Sequence, residues 1–228
     1  MPGVVAVSLR VRSGILSLIG LGVAISLALA AGAGRADGSR SCGPASARTF
    51  AENSYVRVYQ TRDGEYRPFW ACSKRSGKTY PLDQPSADNT AFPVFGISRW
   101  YVAWAENTTD PENVYTTVGV VDSRRFGEGE TEPIVNGAAV GQPAKVGAVV
   151  VNSKGSVAWT RCPSNATFAS LAGCNKPGRD ASVWRSAITT RRVQLLDAGR
   201  GIDPSSLRVK GFRIRWLNDG LRKKAKLE

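Results

Sequence analysis

The sequence predicts an all-β fold built from repeated short strands, and three observations carry that prediction. Beyond residue 48, β-branched and aromatic runs alternate with clusters of Gly, Pro, Asn and Asp, with almost no stretch of helical period. Short similar segments recur along the chain. Four cysteines, an even number, suit a small stapled domain. With 228 residues the chain has room for one ordinary domain or two small ones plus processing segments.

The N-terminal segment reads as a targeting signal. Arg10 and Arg12 form a basic start, an uncharged run follows from residue 13 to 34, and Ala31-Gly-Ala33 satisfies the small-x-small cleavage rule. The apolar stretch 14–33 approaches the length of a membrane span, but its Gly, Ser and Ala content and its small-residue end favour cleavage over anchoring. Cys42 follows Arg40-Ser41, not a small-residue box, so it is not a lipidation site. We therefore expect a signal peptide over 1–36 and a secreted or cell-surface protein over 37–228, with membrane contact only if the signal stays uncleaved.

In an oxidising compartment the cysteines are expected to form two disulfides. Cys162 and Cys174 flank eleven residues dense in turn formers, which leaves Cys42 to pair with Cys72. A zinc site would need close C-x-x-C pairs, and the gaps here are 29, 89 and 11 residues. No metal and no cofactor is expected.

Strands are expected at 55–60, 68–72, 100–105, 115–122, 148–152, 156–160, 192–197, 207–210 and 213–217. The segment 149–159 (VVVNSKGSVAW) parallels 207–216 (LRVKGFRIRW): a strand, a Gly turn, then a strand ending in hydrophobic-x-Trp. Trp104, Trp159 and Trp216 end the three clearest copies, and Ser54 to Tyr59 is a weaker first one. The spacing gives about four units, roughly 48–90, 91–143, 144–200 and 201–228, arranged as in a small propeller. These Trp are expected to fill the core between sheets, while Trp70, Trp100 and Trp184 fall off register and are expected nearer the surface.

The unit, and above all Gly201-Ile-Asp-Pro-Ser-Ser-Leu207 leading to Trp216-Leu-Asn-Asp-Gly220, resembles a group of secreted bacterial β-propeller-like repeat proteins without a characterised function. The resemblance implies a fold and no active-site residues.

The absence of histidine excludes Ser–His and Cys–His nucleophile pairs, histidine metal ligands and a histidine pH switch. No G-x-S-x-G is present, and Ser73-Lys-Arg-Ser-Gly77 lacks the spacing of a phosphate loop. Asp63, Asp122, Asp197 and Asp219 sit beside Gly-containing turns and read as turn residues, as does Asp203. Asp110-Pro-Glu-Asn113 lacks the alternating oxygen ligands of a calcium loop, and the Asn-x-Thr sequences at 107 and 165 mark surface loops.

Charge is the remaining signal. The chain carries +13, with 31 Lys+Arg against 18 Asp+Glu. From Arg185 to Glu228 there are 12 basic and 4 acidic residues. Alternation along the strand places Arg213 and Arg215 on one face and Ile214 and Trp216 on the other. With Arg208, Lys210, Arg222, Lys223, Lys224 and Lys226 they form a candidate patch for an anionic ligand. No aromatic residues interleave the charges in a nucleic-acid-binding pattern, which argues against nucleic acid. The expected function is a binding module for an anionic envelope polymer or another envelope protein. The rivals are a histidine-free carboxylate-dependent hydrolase, or a structural protein whose basic residues only keep it soluble and guard a sheet edge.

Overall fold

A computed structural model describes residues 41–61, 67–82, 94–109, 114–127, 144–163, 174 and 177–228. The described chain is all-β. Fourteen strands form four antiparallel sheets, each a meander of consecutive strands, and a single 3-10 turn spans Ser123–Arg125. The first sheet contains β1 (Arg48–Glu52), β2 (Val56–Gln60), β3 (Phe69–Ser73) and β4 (Thr79–Pro81). The second contains β5 (Val94–Ser98), β6 (Tyr101–Thr109) and β7 (Val114–Asp122). The third contains β8 (Ala144–Val151), β9 (Val157–Pro163), β10 (Ala181–Ser186) and β11 (Val193–Gly199), and the fourth β12 (Ile202–Lys210), β13 (Arg213–Asn218) and β14 (Leu221–Lys226).

Period-2 alternation on the second strand of each sheet stacks the sheets in sequence order. On β6, Val102 and Trp104 pack back onto Val56, Val58 and Phe69 of the first sheet. Tyr101, Ala103 and Ala105 face forward onto Val149 and Trp159 of the third. On β9 the same split sends Trp159 back towards the second sheet and Ala158 forward onto Ile202, Ile214 and Trp216. The three register tryptophans are all buried: 4% exposed at 104, 1% at 159 and 5% at 216. Each fills the gap to the preceding sheet. Gly119 lies opposite Trp104 in the β6–β7 ladder, where any Cβ would overlap the indole, so the glycine makes the space the ring occupies.

Tyr59 holds the corresponding position on β2, where no sheet precedes it among the described residues. The N-terminal segment covers it instead, with Cys42, Ala47 and Cys72 packed around the ring. The Cys42–Cys72 disulfide fastens that segment, and Arg57 donates to the carbonyls of Cys42 at 2.7 Å and Ala47 at 3.1 Å. Burial pushes the Tyr59 phenol above its ordinary pKa, against the opposing charge of Arg57. The second disulfide joins Cys162 to Cys174, so the pairing is the one expected from the turn-rich loop.

The sheets also repeat in pairs. The β1–β2 turn is organised by Asn53, whose Oδ1 accepts from the amides of Tyr55 and Val56 and whose Nδ2 donates to Arg99 O in the next sheet. The β8–β9 turn is organised by Asn152, whose Oδ1 accepts from Lys154 and Ser156 and whose Nδ2 donates to Leu227 O. The second and fourth sheets each open with a two-residue hairpin turn, Arg99-Trp100 and Gly211-Phe212. The aromatic carbonyl accepts from the residue just past the third strand, Ser123 in one case and Leu227 in the other. Trp100 packs on Tyr55 at 4.0 Å, and Phe212 lies under Lys154 at 4.8 Å. The observed unit is thus a four-stranded sheet followed by a three-stranded one, present twice.

Candidate functional site

The residue before each register aromatic faces forward. Val58, Ala103 and Ala158 occupy that place in the first three sheets, and all are fully buried against the next sheet. In the fourth sheet the residue is Arg215, and it is exposed. The forward face of that sheet is therefore built for solvent.

The ladder fixes its layout. Arg208 pairs with Arg215, which pairs with Lys224; Lys210 pairs with Arg213, which pairs with Lys226; Leu217 pairs with Arg222. Alternation puts all these side chains on the face opposite Ile214 and Trp216. Seven cations, Arg208, Lys210, Arg213, Arg215, Arg222, Lys224 and Lys226, thus share one face, and each is exposed. Lys223 departs from the expected patch. It is exposed too, but it lies opposite Trp216 in the ladder and so registers with the other side of the sheet.

Adjacent strands stand about 4.8 Å apart, so the two rows bring like charges together across three strands. Like charges directly opposite one another destabilise a sheet, and a bound anion reverses the sign of that term. Lys226 pairs with Glu228, and Arg208 donates to the carbonyls of Ser205 at 2.7 Å and Leu207 at 2.8 Å. Phe212 is exposed in the hairpin turn before β13, and Leu221, exposed at the start of β14, pairs with Asn218 and so registers with the opposite side, that of Ile214 and Trp216. Among the described residues, Leu217 is the one large apolar side chain that the ladder registers with this face.

The carboxylates are engaged elsewhere. Asp122 caps the 3-10 turn, accepting from the Arg124 amide at 3.0 Å and from its guanidinium. Burial raises the Asp122 carboxyl, but the Arg124 hydrogen bonds and charge outweigh it and hold the group below its ordinary pKa. Asp203 accepts from the Ser205 amide and hydroxyl, and Asp219 stands at a left-handed turn position with φ 51°. Asp197 does more than cap a turn: it accepts from Trp216 Nε1 and Asn218 Nδ2 and so joins β11 to β13. Asp63 and residues 110–113 and 165–167 lie outside the described residues, and among those described no group of three or more His, Cys, Asp or Glu could hold a metal ion.

Trp70, Trp100 and Trp184 are half-buried rather than laid open. Trp70 packs beside Tyr59 and Cys72, Trp100 rests on Tyr55, and Trp184 joins the core between the second and third sheets. They do not come together as a stacking platform. Ser73 to Gly77 is a backbone-closed turn, with Gly77 N donating to Ser73 O at 2.7 Å and Lys74 paired with Glu52. A second basic cluster, which sequence reasoning did not single out, lies near the Cys162–Cys174 disulfide. Lys145 is buried opposite Cys162, and burial, then the Arg179 charge, lowers its pKa.

Two disulfides point to an extracellular or otherwise oxidising environment. Among the described residues, no helix is long and apolar enough to cross a membrane. No family model matches the sequence, and no curated protein matches it. Two solved structures show a distant likeness. One is the computationally designed Ika8 protein, at 16% identity over 77% of this chain, with a TM-score of 0.42. The other is the tricorn protease, at 11% identity over 79% of this chain, also with a TM-score of 0.42. The chain spans 44% of the length of the first and 21% of the second.

Proposed function

We propose that this chain is a secreted binding module, an open propeller-like stack whose last sheet engages an anionic polymer of the cell envelope. One observation carries the reading: the position before the register aromatic, small and apolar in the first three sheets, is Arg215 in the fourth, where the ladder gathers seven exposed cations on one face. A basic solubilising surface would need no such ordered rows. The opposite end of the stack is covered by the segment stapled through Cys42–Cys72, so the two ends differ in chemistry. The exposed apolar residues Phe212 and Leu221 stand at strand ends and not among the cations, which favours a polymer lying across the sheet over insertion into a bilayer.

The test is retention on immobilised teichoic acid and on dextran sulfate at two salt concentrations. Six phosphate contacts on DNA lose roughly a thousandfold in affinity between about 50 and 200 mM salt, and a loss of that order is expected here. Replacing Arg213, Arg215 and Lys224 by Ser should abolish retention while leaving the far-ultraviolet dichroism unchanged. Retention that ignores both salt and substitution would overturn the reading.

A further inference from the structure

The turn between β10 and β11 encloses, with the end of β14, a polar cleft of about 650 Å3. Arg185, Thr189, Thr190, Arg192, Gln194 and Glu228 line it. That volume lies in the range that holds a single small molecule. Arg185 is set in place: its Nε and one NH2 proton go to Gln194 Oε1 at 3.0 and 2.8 Å, and its other terminal nitrogen donates to Lys226 O. A guanidinium carries five N–H groups, so two are left for a ligand. Arg192 follows Arg191, a non-glycine residue held at φ 52° with its amide donating to Ala187 O at 2.9 Å. The turn is thus fixed in a conformation that side chains rarely adopt, and it carries two hydroxyls and a second guanidinium to the cleft.

We infer that this cleft binds one anionic group, a phosphate or a carboxylate, carried on a sugar-sized body. Arg185 and Arg192 hold the anion, and the hydroxyls of Thr189 and Thr190 add donors. Glu228 also lines the wall, tethered by Lys226. A carboxylate there accepts hydrogen bonds from ligand hydroxyls and repels a bare polyanion, so it selects an anion attached to a sugar. The inference rests on the anionic-polymer reading, because the cleft opens beside Lys226, where one cationic row ends. A polymer lying on the face would place a terminal or pendant group there.

The experiment is an amide NMR titration of the full chain, at a fixed ionic strength of about 0.15 M. The probes are glucose 6-phosphate, glucuronate and uncharged glucose. Shifts at residues 187–194 with the two anionic sugars and not with glucose are expected. Arg192→Ala should weaken them about tenfold, as expected for the loss of one charge-assisted hydrogen bond. The Arg213→Ser/Arg215→Ser variant should bind the anionic sugars normally while losing polymer retention. Equal shifts with all three sugars, or shifts confined to β12–β14, would overturn the cleft assignment. Normal polymer retention without any sugar binding would sink the cleft alone, whereas sugar binding without salt-sensitive retention would sink the polymer reading alone.

Discussion

The Trp216 indole Nε1 donates to the Asp197 carboxylate at 2.7 Å, and the same oxygen accepts Asn218 Nδ2 at 3.0 Å. One carboxylate on the outer strand of the third sheet thereby orients the aromatic that fills the gap to the fourth. Hydrogen bonds to charged groups are worth about 1.5–3 kcal/mol. Asp197 is half-buried, so Asp197→Ala is expected to cost about 1–2 kcal/mol in urea unfolding. In a double-mutant cycle with Trp216→Phe the two losses should fall short of additive by about 1 kcal/mol. Strict additivity would show that the contact carries no coupling.

Asn53 and Asn152 perform the same task under different burial, and their alanine variants should differ accordingly. Asn152 is 1% exposed, and its loss strands Leu227 O and the amides of Lys154 and Ser156. A cost of about 2–3 kcal/mol is expected at 152, against about 1 kcal/mol at 53, where the bond to Arg99 O is exposed. Denaturant midpoints for the two variants would decide it, and equal values would contradict the burial argument.

Gly119→Ala places a methyl group where the Trp104 indole now lies. The ring must tilt into Val56, Val58 and Phe69, the residues it packs on. Overpacking of this kind costs about 1–3 kcal/mol. Thermal unfolding should shift down, and near-ultraviolet dichroism should report the displaced tryptophan. The pair Gly119→Ala with Trp104→Phe should recover part of the loss.

Asp122 supplies the pH dependence. Its folded pKa is depressed relative to the unfolded chain, so its stabilisation is fully present above the unfolded value near about 4. It is lost as pH falls through the lower folded value. Asp122→Asn should therefore be less stable than the parent at neutral pH, with the gap closing below about pH 4. Unfolding curves from neutral to acid pH measure this, and a gap that widens towards acid would reverse the assigned sign.

Much of the architecture was legible because period-2 alternation and turn residues are local. The inward role of Trp104, Trp159 and Trp216 followed from their common register, and the outward role of Arg213 and Arg215 from alternation with Ile214 and Trp216. β14 was read as a charge run because four of its six residues are cationic. Its strand character comes from pairing with β13 rather than from any apolar pattern. For the same reason the side of the sheet on which Lys223 stands was not legible, because it depends on register. β1, β4, β5 and β10 were missed as strands for want of an alternating stretch bounded by strong turn signals. The Asn53 and Asn152 bridges were invisible because each is defined by a carbonyl 46 or 75 residues away. The cleft was invisible for a similar reason: Arg185, Arg192 and Glu228 meet only once the end of β14 reaches Arg185.

Stacked sheets grow readily by adding one molecule to the end of the next, because every interior face resembles its neighbour. Among the described residues, this stack has a plug over Tyr59 at its first face and seven like charges on its last, so neither end presents the apolar face found between its sheets. Like-charge repulsion at that end opposes end-to-end stacking of copies. On the proposed reading a polyanion would change the count: it would neutralise the charged ends of many copies at once and set their number by its own length.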